Sequence, residues 1–169
     1  MGFFDVFKKN EEPAAEPSWP LTLGAVAKGA AVLMADIPDP VFSQGMVGFC
    51  CGIEPEDGKV CSPVDGVVSQ VPDTLHAVGV DSQGVELLVH CGVDTVDMKG
   101  KGFTMLVKEG QKVKKGDHLM TMDLEVIKAA GRPTTIITAV TNSDDFAGVE
   151  QVATGPVQAG DGVLKVRKE

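Results

Sequence analysis

The chain has 169 residues, with 24 acidic and 15 basic side chains and a formal net charge of −9 at pH 7. This length suits one domain with a sizeable core, and the negative balance argues against nucleic acid, which selects a basic surface, while suiting a basic protein partner. No apolar run is long enough to cross a bilayer and no secretory signal is visible, so a cytoplasmic chain is expected.

Residues 1–20 read as a flexible tail. Within Met1–Lys9, Phe3 and Phe7 stand one helical turn apart with lysines following. Such a short amphipathic tip either makes a weak contact with an anionic membrane surface, peripheral at its inner face, or frays as a terminus. Val6 stands where an N-myristoylation signal needs Ser or Thr. Asn10–Pro20, NEEPAAEPSWP, is acidic and proline-rich with few core formers, and reads as a linker.

Residues 21–169 read as one domain of short strands punctuated by turns. Twenty glycines, ten prolines and little sustained 3.6-residue periodicity predict an all-β sandwich or barrel of short antiparallel strands. Only Leu124–Ala130 and Ser143–Val149 read as helical turns, with Ser143 as the N-cap of the second. Ala25–Gly29 (AVAKG) is faintly echoed by Ser62–Gly66 (SPVDG), as two strand-opening turns of similar shape. Cys50, Cys51, Cys61 and Cys91 show neither metal spacing nor a CxxC pair and read as small buried hydrophobes in a reducing compartment.

The most informative stretch is Thr74–Val96, TLHAVGVDSQGVELLVHCGVDTV, which reads as one β-hairpin with a histidine on each strand. The turn signal is Asp81-Ser82-Gln83-Gly84. A two-residue loop at Ser82-Gln83 would leave His76 and His90 on opposite faces. A three-residue loop, with Gly84 in the left-handed position, pairs Asp81 with Val85 and therefore His76 with His90. The second is expected, with Thr74 projecting from the same face and Val78 and Leu88 as the next pair. The residues alone allow two readings of the histidines: strand residues with local hydrogen bonds, or a site on an apolar surface that takes a small substrate or a docked protein.

His76-Ala-Val-Gly-Val and Gly84-Val-Glu-Leu-Leu-Val-His90-Cys-Gly-Val-Asp94-Thr-Val96 resemble the IIA component, glucose class, of the bacterial phosphoenolpyruvate:sugar phosphotransferase system. Asp36-Ile-Pro-Asp-Pro-Val-Phe42-Ser, Ser62-Pro-Val-Asp-Gly66, Lys99-Gly-Lys-Gly-Phe103 and Glu109-Gly-Gln-Lys-Val-Lys-Lys-Gly-Asp117 carry the resemblance in one order from about Leu21 onward. It implies a β-sandwich of duplicated hairpin units in a free-standing phosphocarrier. His90 would be the phosphorylated residue, through Nε2, with His76 steadying the phosphoryl charge and Thr74 orienting His76. The donor would be the phosphocarrier HPr and the acceptor a cysteine on the IIB domain of a sugar permease. Asp39, Val41, Phe42, Val78, Leu88, Asp94 and Val96 would meet these partners. No cofactor is required and no metal is expected, and the chain has neither a GxxxxGK[ST] loop nor a GxGxxG turn. The permease, not this chain, would choose the sugar.

Some positions depart from the family pattern. The hairpin turn is one residue shorter than in most members, Gly48-Phe49-Cys50 replaces a usual Gly-Asp-Gly, and Val26 replaces a proline. His118 matches no functional position and reads as a solvated loop residue. Two other classes stay open. A biotinyl or lipoyl swinging-arm carrier resembles the 109–117 turn but needs a lysine at a hairpin tip, which the segment after it, Met120–Leu124, does not offer. A zinc hydrolase on a similar β-sandwich needs three ligands and an open position, and the expected HxH pair is absent.

Overall fold

A computed structural model of the chain describes residues 19–168. The amphipathic tip at residues 1–9 and the linker as far as Ser18 lie outside the described residues. Among those described, fourteen strands dominate: β1 (Leu21–Gly24), β2 (Gly29–Val32), β3 (Phe49–Pro55), β4 (Lys59–Cys61), β5 (Gly66–Gln70), β6 (Ala77–Ser82), β7 (Val85–Cys91), β8 (Phe103–Met105), β9 (Lys112–Val113), β10 (His118–Met122), β11 (Ile136–Val140), β12 (Gly148–Gln151), β13 (Gly155–Val157) and β14 (Gly162–Arg167). Two short helices, α1 (Pro40–Ser43) and α2 (Leu124–Ala129), complete the regular structure with three 3₁₀ turns.

The strands form an eight-stranded sheet in the order β13-β2-β3-β11-β7-β6-β5-β9 and two three-stranded sheets, β1-β14-β12 and β4-β10-β8. Every paired strand is antiparallel. The main core gathers Val78, Val80, Leu87, Val89, Ile53 and Ile136 from the large sheet with Leu23, Leu164, Val166, Val60, Leu119 and Met120 from the small ones. Each such side chain, fully buried, contributes roughly 1.5–3 kcal/mol. The expected all-β sandwich of short antiparallel strands is the fold observed.

β7 shows how the pattern works. Val85, Leu87, Val89 and Cys91 are buried on the core side, whereas Glu86, Leu88 and His90 alternate to the other face. β11, beside it, is buried along its whole length. The reason is a second, smaller cluster on the outer face of the sheet: Ile37, Phe42, Cys50, Val93, Ile137 and Ala139. His90 therefore stands at the edge of an apolar platform. The two echoing stretches also lie together, since Gly24 N–H donates to Pro63 O at 2.9 Å and Cys61 N–H to Val26 O at 2.7 Å.

Four expectations need correcting. The hairpin loop holds two residues, Gln83 and Gly84, with Ser82 opposite Val85 and Ala77 opposite His90. Both loop residues have positive φ, 53° and 86°, the geometry that matches the twist of paired strands in a two-residue hairpin. Asn142 holds this tip from outside, donating through Nδ2 to Gly84 O at 2.8 Å and accepting from Glu86 N–H at 3.0 Å. Second, Ser143–Asp145 is only a 3₁₀ turn with Asn142 at its N-cap position, and the rest of the expected helix gives way to β12. Ser143 Oγ instead accepts from Phe49 N–H, and Gly48 (φ 114°) lies so close to Val140 that no Cβ fits, so the Gly48-Phe49-Cys50 turn closes in its own way. Third, α1 was not foreseen. It starts at a proline and is capped by Asp39, whose Oδ1 accepts from Val41 and Phe42 N–H. Fourth, Trp19, placed in the linker by composition, packs on the domain, stacked on Phe146 at 5.9 Å.

Candidate functional site

His90 is the fixed point. It lies in β7 between Ile137 of β11 and Ala77 of β6. Its Nδ1 is 2.8 Å from Gly92 O. A carbonyl can only accept, so Nδ1 carries the proton and Nε2 keeps a free lone pair. Gly92 has φ 84°, and a Cβ there would collide with Thr95, so glycine alone lets the carbonyl take this position.

His76 arrives differently. Strict alternation would send it, opposite Cys91, into the core. But β6 begins only at Ala77, and Leu75 before it adopts the left-handed conformation with φ 57°. The ring is thereby freed from the pleat and meets His90 edge-on, with centroids 4.9 Å apart and planes at 83°. The backbone stays tied to the ladder through Cys91 N–H donating to His76 O at 2.8 Å. Thr74 Oγ1 lies 2.8 Å from His76 Nδ1. The two rings meet as expected, although not by the expected register.

Phe42 packs against His90 at 5.0 Å between ring centroids. It is buried, with Cys50 Sγ–H donating to its carbonyl at 3.3 Å. Burial pushes the Cys50 thiol up to about 11, helped by Asp39. Burial also lowers His90 to about 4, with the nearby His76 adding to the effect. The Gly92 hydrogen bond and the carboxylates of Asp39 and Asp94 oppose it. Burial lowers His76 as well. Both imidazoles are thus neutral at pH 7, which a nucleophile needs.

Val41 directly precedes Phe42 and is 43% exposed, Val96 is 51% exposed, and Leu88 of β7 is half-buried against the small cluster. Asp94 sits in the left-handed conformation at the mouth of the 3₁₀ turn Thr95–Met98 that carries Val96. Val78, expected on this face, is fully buried in the main core, because the two-residue loop pairs it with Val89 rather than beside Leu88. Sequence reading missed Met46. It is 70% exposed, and its N–H donates to Val41 O at 3.1 Å, which sets it beside α1. The Asp39-Pro40 cap signature was the signal that could have found that helix and the turn after it. His118 lies at the start of β10, half-buried, with Nε2 3.1 Å from Thr121 Oγ1, and takes no part in the pair. A cavity of about 370 Å³ opens further up the hairpin between Ser69, Gly79, Glu86 and Leu88. Neither histidine lines it.

Residues 21–146 match the family described as phosphoenolpyruvate-dependent sugar phosphotransferase system, EIIA 1. The chain belongs to this family. The glucose-specific EIIA component of Halalkalibacterium halodurans is 44% identical over 159 residues, covering 94% of this chain and 91% of that protein. That of Haemophilus influenzae is 36% identical over all of both chains. The glucose-specific EIICBA component of Streptococcus pneumoniae is 46% identical over 143 residues, and this chain spans 20% of its length. Among solved structures, the glucose permease IIA from Mycoplasma capricolum superposes with a TM-score of 0.76 at 33% identity, covering 86% of this chain and 94% of that one. Membership of the EIIA family makes this chain a phosphocarrier component of the sugar phosphotransferase system and disfavours the swinging-arm and zinc-hydrolase readings. Among the described residues no three His, Cys, Asp or Glu side chains gather as a metal site, and no helix is long and apolar enough to cross a membrane.

Proposed function

We propose that His90 accepts a phosphoryl group through Nε2 from the phosphohistidine of the donor HPr and passes it to a cysteine of a IIB domain. The observation that carries this reading is the pair of neutral rings 4.9 Å apart, each held through Nδ1, by Gly92 O and by Thr74, so that both Nε2 atoms are free. In the first step the His90 Nε2 lone pair attacks phosphorus, the donor's N–P bond breaks, and the donor imidazole takes the leaving pair. In the second, the acceptor thiolate attacks phosphorus, the Nε2–P bond breaks with its electron pair returning to Nε2, and His90 leaves as a neutral imidazole because Nδ1 keeps the proton it donates to Gly92 O.

His76 acts as a hydrogen-bond donor to the transferring oxygens. Thr74 supports this by donating its hydroxyl to Nδ1, which leaves the His76 proton on Nε2. The apolar platform under His90 limits water and protects the labile N–P bond. No nucleotide or metal enters, because the phosphoryl group arrives already activated on nitrogen. Asp39 and Asp94 would repel that group if left alone. Their place is to receive basic side chains of the visiting protein, with Val41, Phe42, Leu88 and Val96 as the apolar contacts. Relatives in which EIIA shares one chain with EIIB and EIIC support a permease as the acceptor side. The compartment is the cytoplasm, in keeping with four free, buried cysteines.

The test is incubation with phosphoenolpyruvate, enzyme I and HPr, followed by mapping of acid-labile phosphate. Phosphate is expected on His90 and absent from His90→Gln. Label retained by that variant overturns the assignment.

A further inference from the structure

We propose that Met46 is an oxidation site through which peroxide weakens docking of the phosphoryl donor, an inference that rests on the phosphocarrier reading above. Among the described residues it is the only exposed methionine: Met120 and Met122 are buried in the core, and Met34, Met98 and Met105 are half-buried. At 70% it is also the most exposed of the large hydrophobic side chains among the described residues. An oxidant reaches a thioether in proportion to such access.

Position gives the exposure its consequence. The Met46 amide is bonded to the carbonyl of Val41, one residue before Phe42, whose ring rests on His90. Gly45 before it has φ 74°, and the turn is held by Gly45 N–H donating to Phe42 O and Gly48 N–H to Gly45 O, while the Met46 side chain stays exposed. Val41 and Met46 are thus two exposed apolar residues joined through their backbones, one residue from the ring that rests on His90. Thioether oxidation replaces a pliable apolar group with a polar, chiral one. In the step, a sulfur lone pair attacks one oxygen of hydrogen peroxide and the O–O bond breaks. The sulfur gains that oxygen and loses two electrons, and the second oxygen leaves as water. Thiol-dependent sulfoxide reduction reverses it. His90 itself is untouched, so the change falls on docking and not on the chemical step.

The experiment titrates the full chain with hydrogen peroxide, maps added oxygen by peptide mass spectrometry, and follows His90 phosphorylation against donor concentration. Oxygen should land on Met46 before Met34, Met98 or Met105. The KM for the donor should then rise about fivefold, the size of losing one significant interface contact, with kcat at saturating donor unchanged and the effect reversed by methionine sulfoxide reductases. Met46→Leu, compared with its own untreated sample, should hold its KM through the same titration. Equal oxidation of Met46 and the half-buried methionines overturns the proposal, as does an unchanged KM when Met46 carries the sulfoxide, or an equal rise in Met46→Leu. Untreated protein that takes no phosphate on His90 sinks the phosphocarrier reading and this inference together; the peptide map, which needs no transfer, tells that failure from the others.

Discussion

β7 and the bend before β6 each deliver one imidazole, and they do so by different means. His90 sits inside a ladder, with a strand on either side and its Nδ1 locked on Gly92 O. His76 stands just outside the ladder, behind a left-handed leucine, and only the Thr74 contact is seen at its Nδ1. The first arrangement suits a group that must present one lone pair in a fixed line. The second suits a helper that follows a phosphoryl group as it moves from one partner to the next. Under the proposed reading, the ladder fixes the acceptor ring, and the bend before β6 places the helper ring against it.

The sharpest way to break this contrast is through stability and pH. The folded-state value for His90 is lowered from 6.5 to about 4. Above the unfolded value neither state is protonated, so the group has no effect. As pH falls through 6.5 the unfolded chain takes a proton that the fold refuses, and stability drops until the folded ring is protonated near pH 4. The full effect is about 3 kcal/mol. Denaturant unfolding of wild type and His90→Gln between pH 7 and 4 should show their difference changing by that amount, while phosphorylation of wild type stays level from pH 8 to 5. A pH-independent difference would mean that the ladder does not hold His90 in a dry setting.

The contrast then predicts unequal kinetics. His76→Gln should still accept phosphate on His90 but transfer it onward about 100-fold more slowly, the usual weight of a positioned proton donor. Thr74→Val should cost less, about fivefold to tenfold, since one hydrogen bond of 0.5–1.5 kcal/mol is lost and the ring can still turn. Single-turnover transfer to a IIB domain measures both. If Thr74→Val costs as much as His76→Gln, the bend is as stringently fixed as the strand.

How far the sequence reveals these two regions follows from the same contrast. The hairpin, its alternation and the outward face of His90 are readable because a strand repeats every two residues. Register is not, because it depends on Gln83 taking a left-handed conformation and on Asn142 reaching the tip from 56 and 58 residues away. Val78 was misplaced by that one-residue slip. His76 met His90 for a reason no pattern carries, a bend that lets a residue escape the pleat. α1 is too short for periodicity to show, and only its Asp39-Pro40 start was legible. Trp19 was hidden by the acidic, proline-rich stretch around it, while its partner Phe146 lies far along the chain. Long-range contacts hold the hairpin tip and Trp19, and local composition cannot report them.

The smallest expected effect tests whether the rim charges steer rather than bind. Asp39 is unsuited, because its carboxylate also caps α1 and its loss would disturb Phe42. Asp94 is cleaner. It caps nothing with its side chain, and its φ of 59° is one that asparagine tolerates as well. Asp94→Asn therefore removes a charge and keeps the turn that carries Val96. The association rate with the donor should fall about threefold at low salt and converge on the wild-type rate near 1 M salt, where charges act over only about 3 Å. Onward transfer within the bound complex should be unchanged. A loss that persists at high salt would show that Asp94 contributes to the bound complex itself rather than to the approach of the donor.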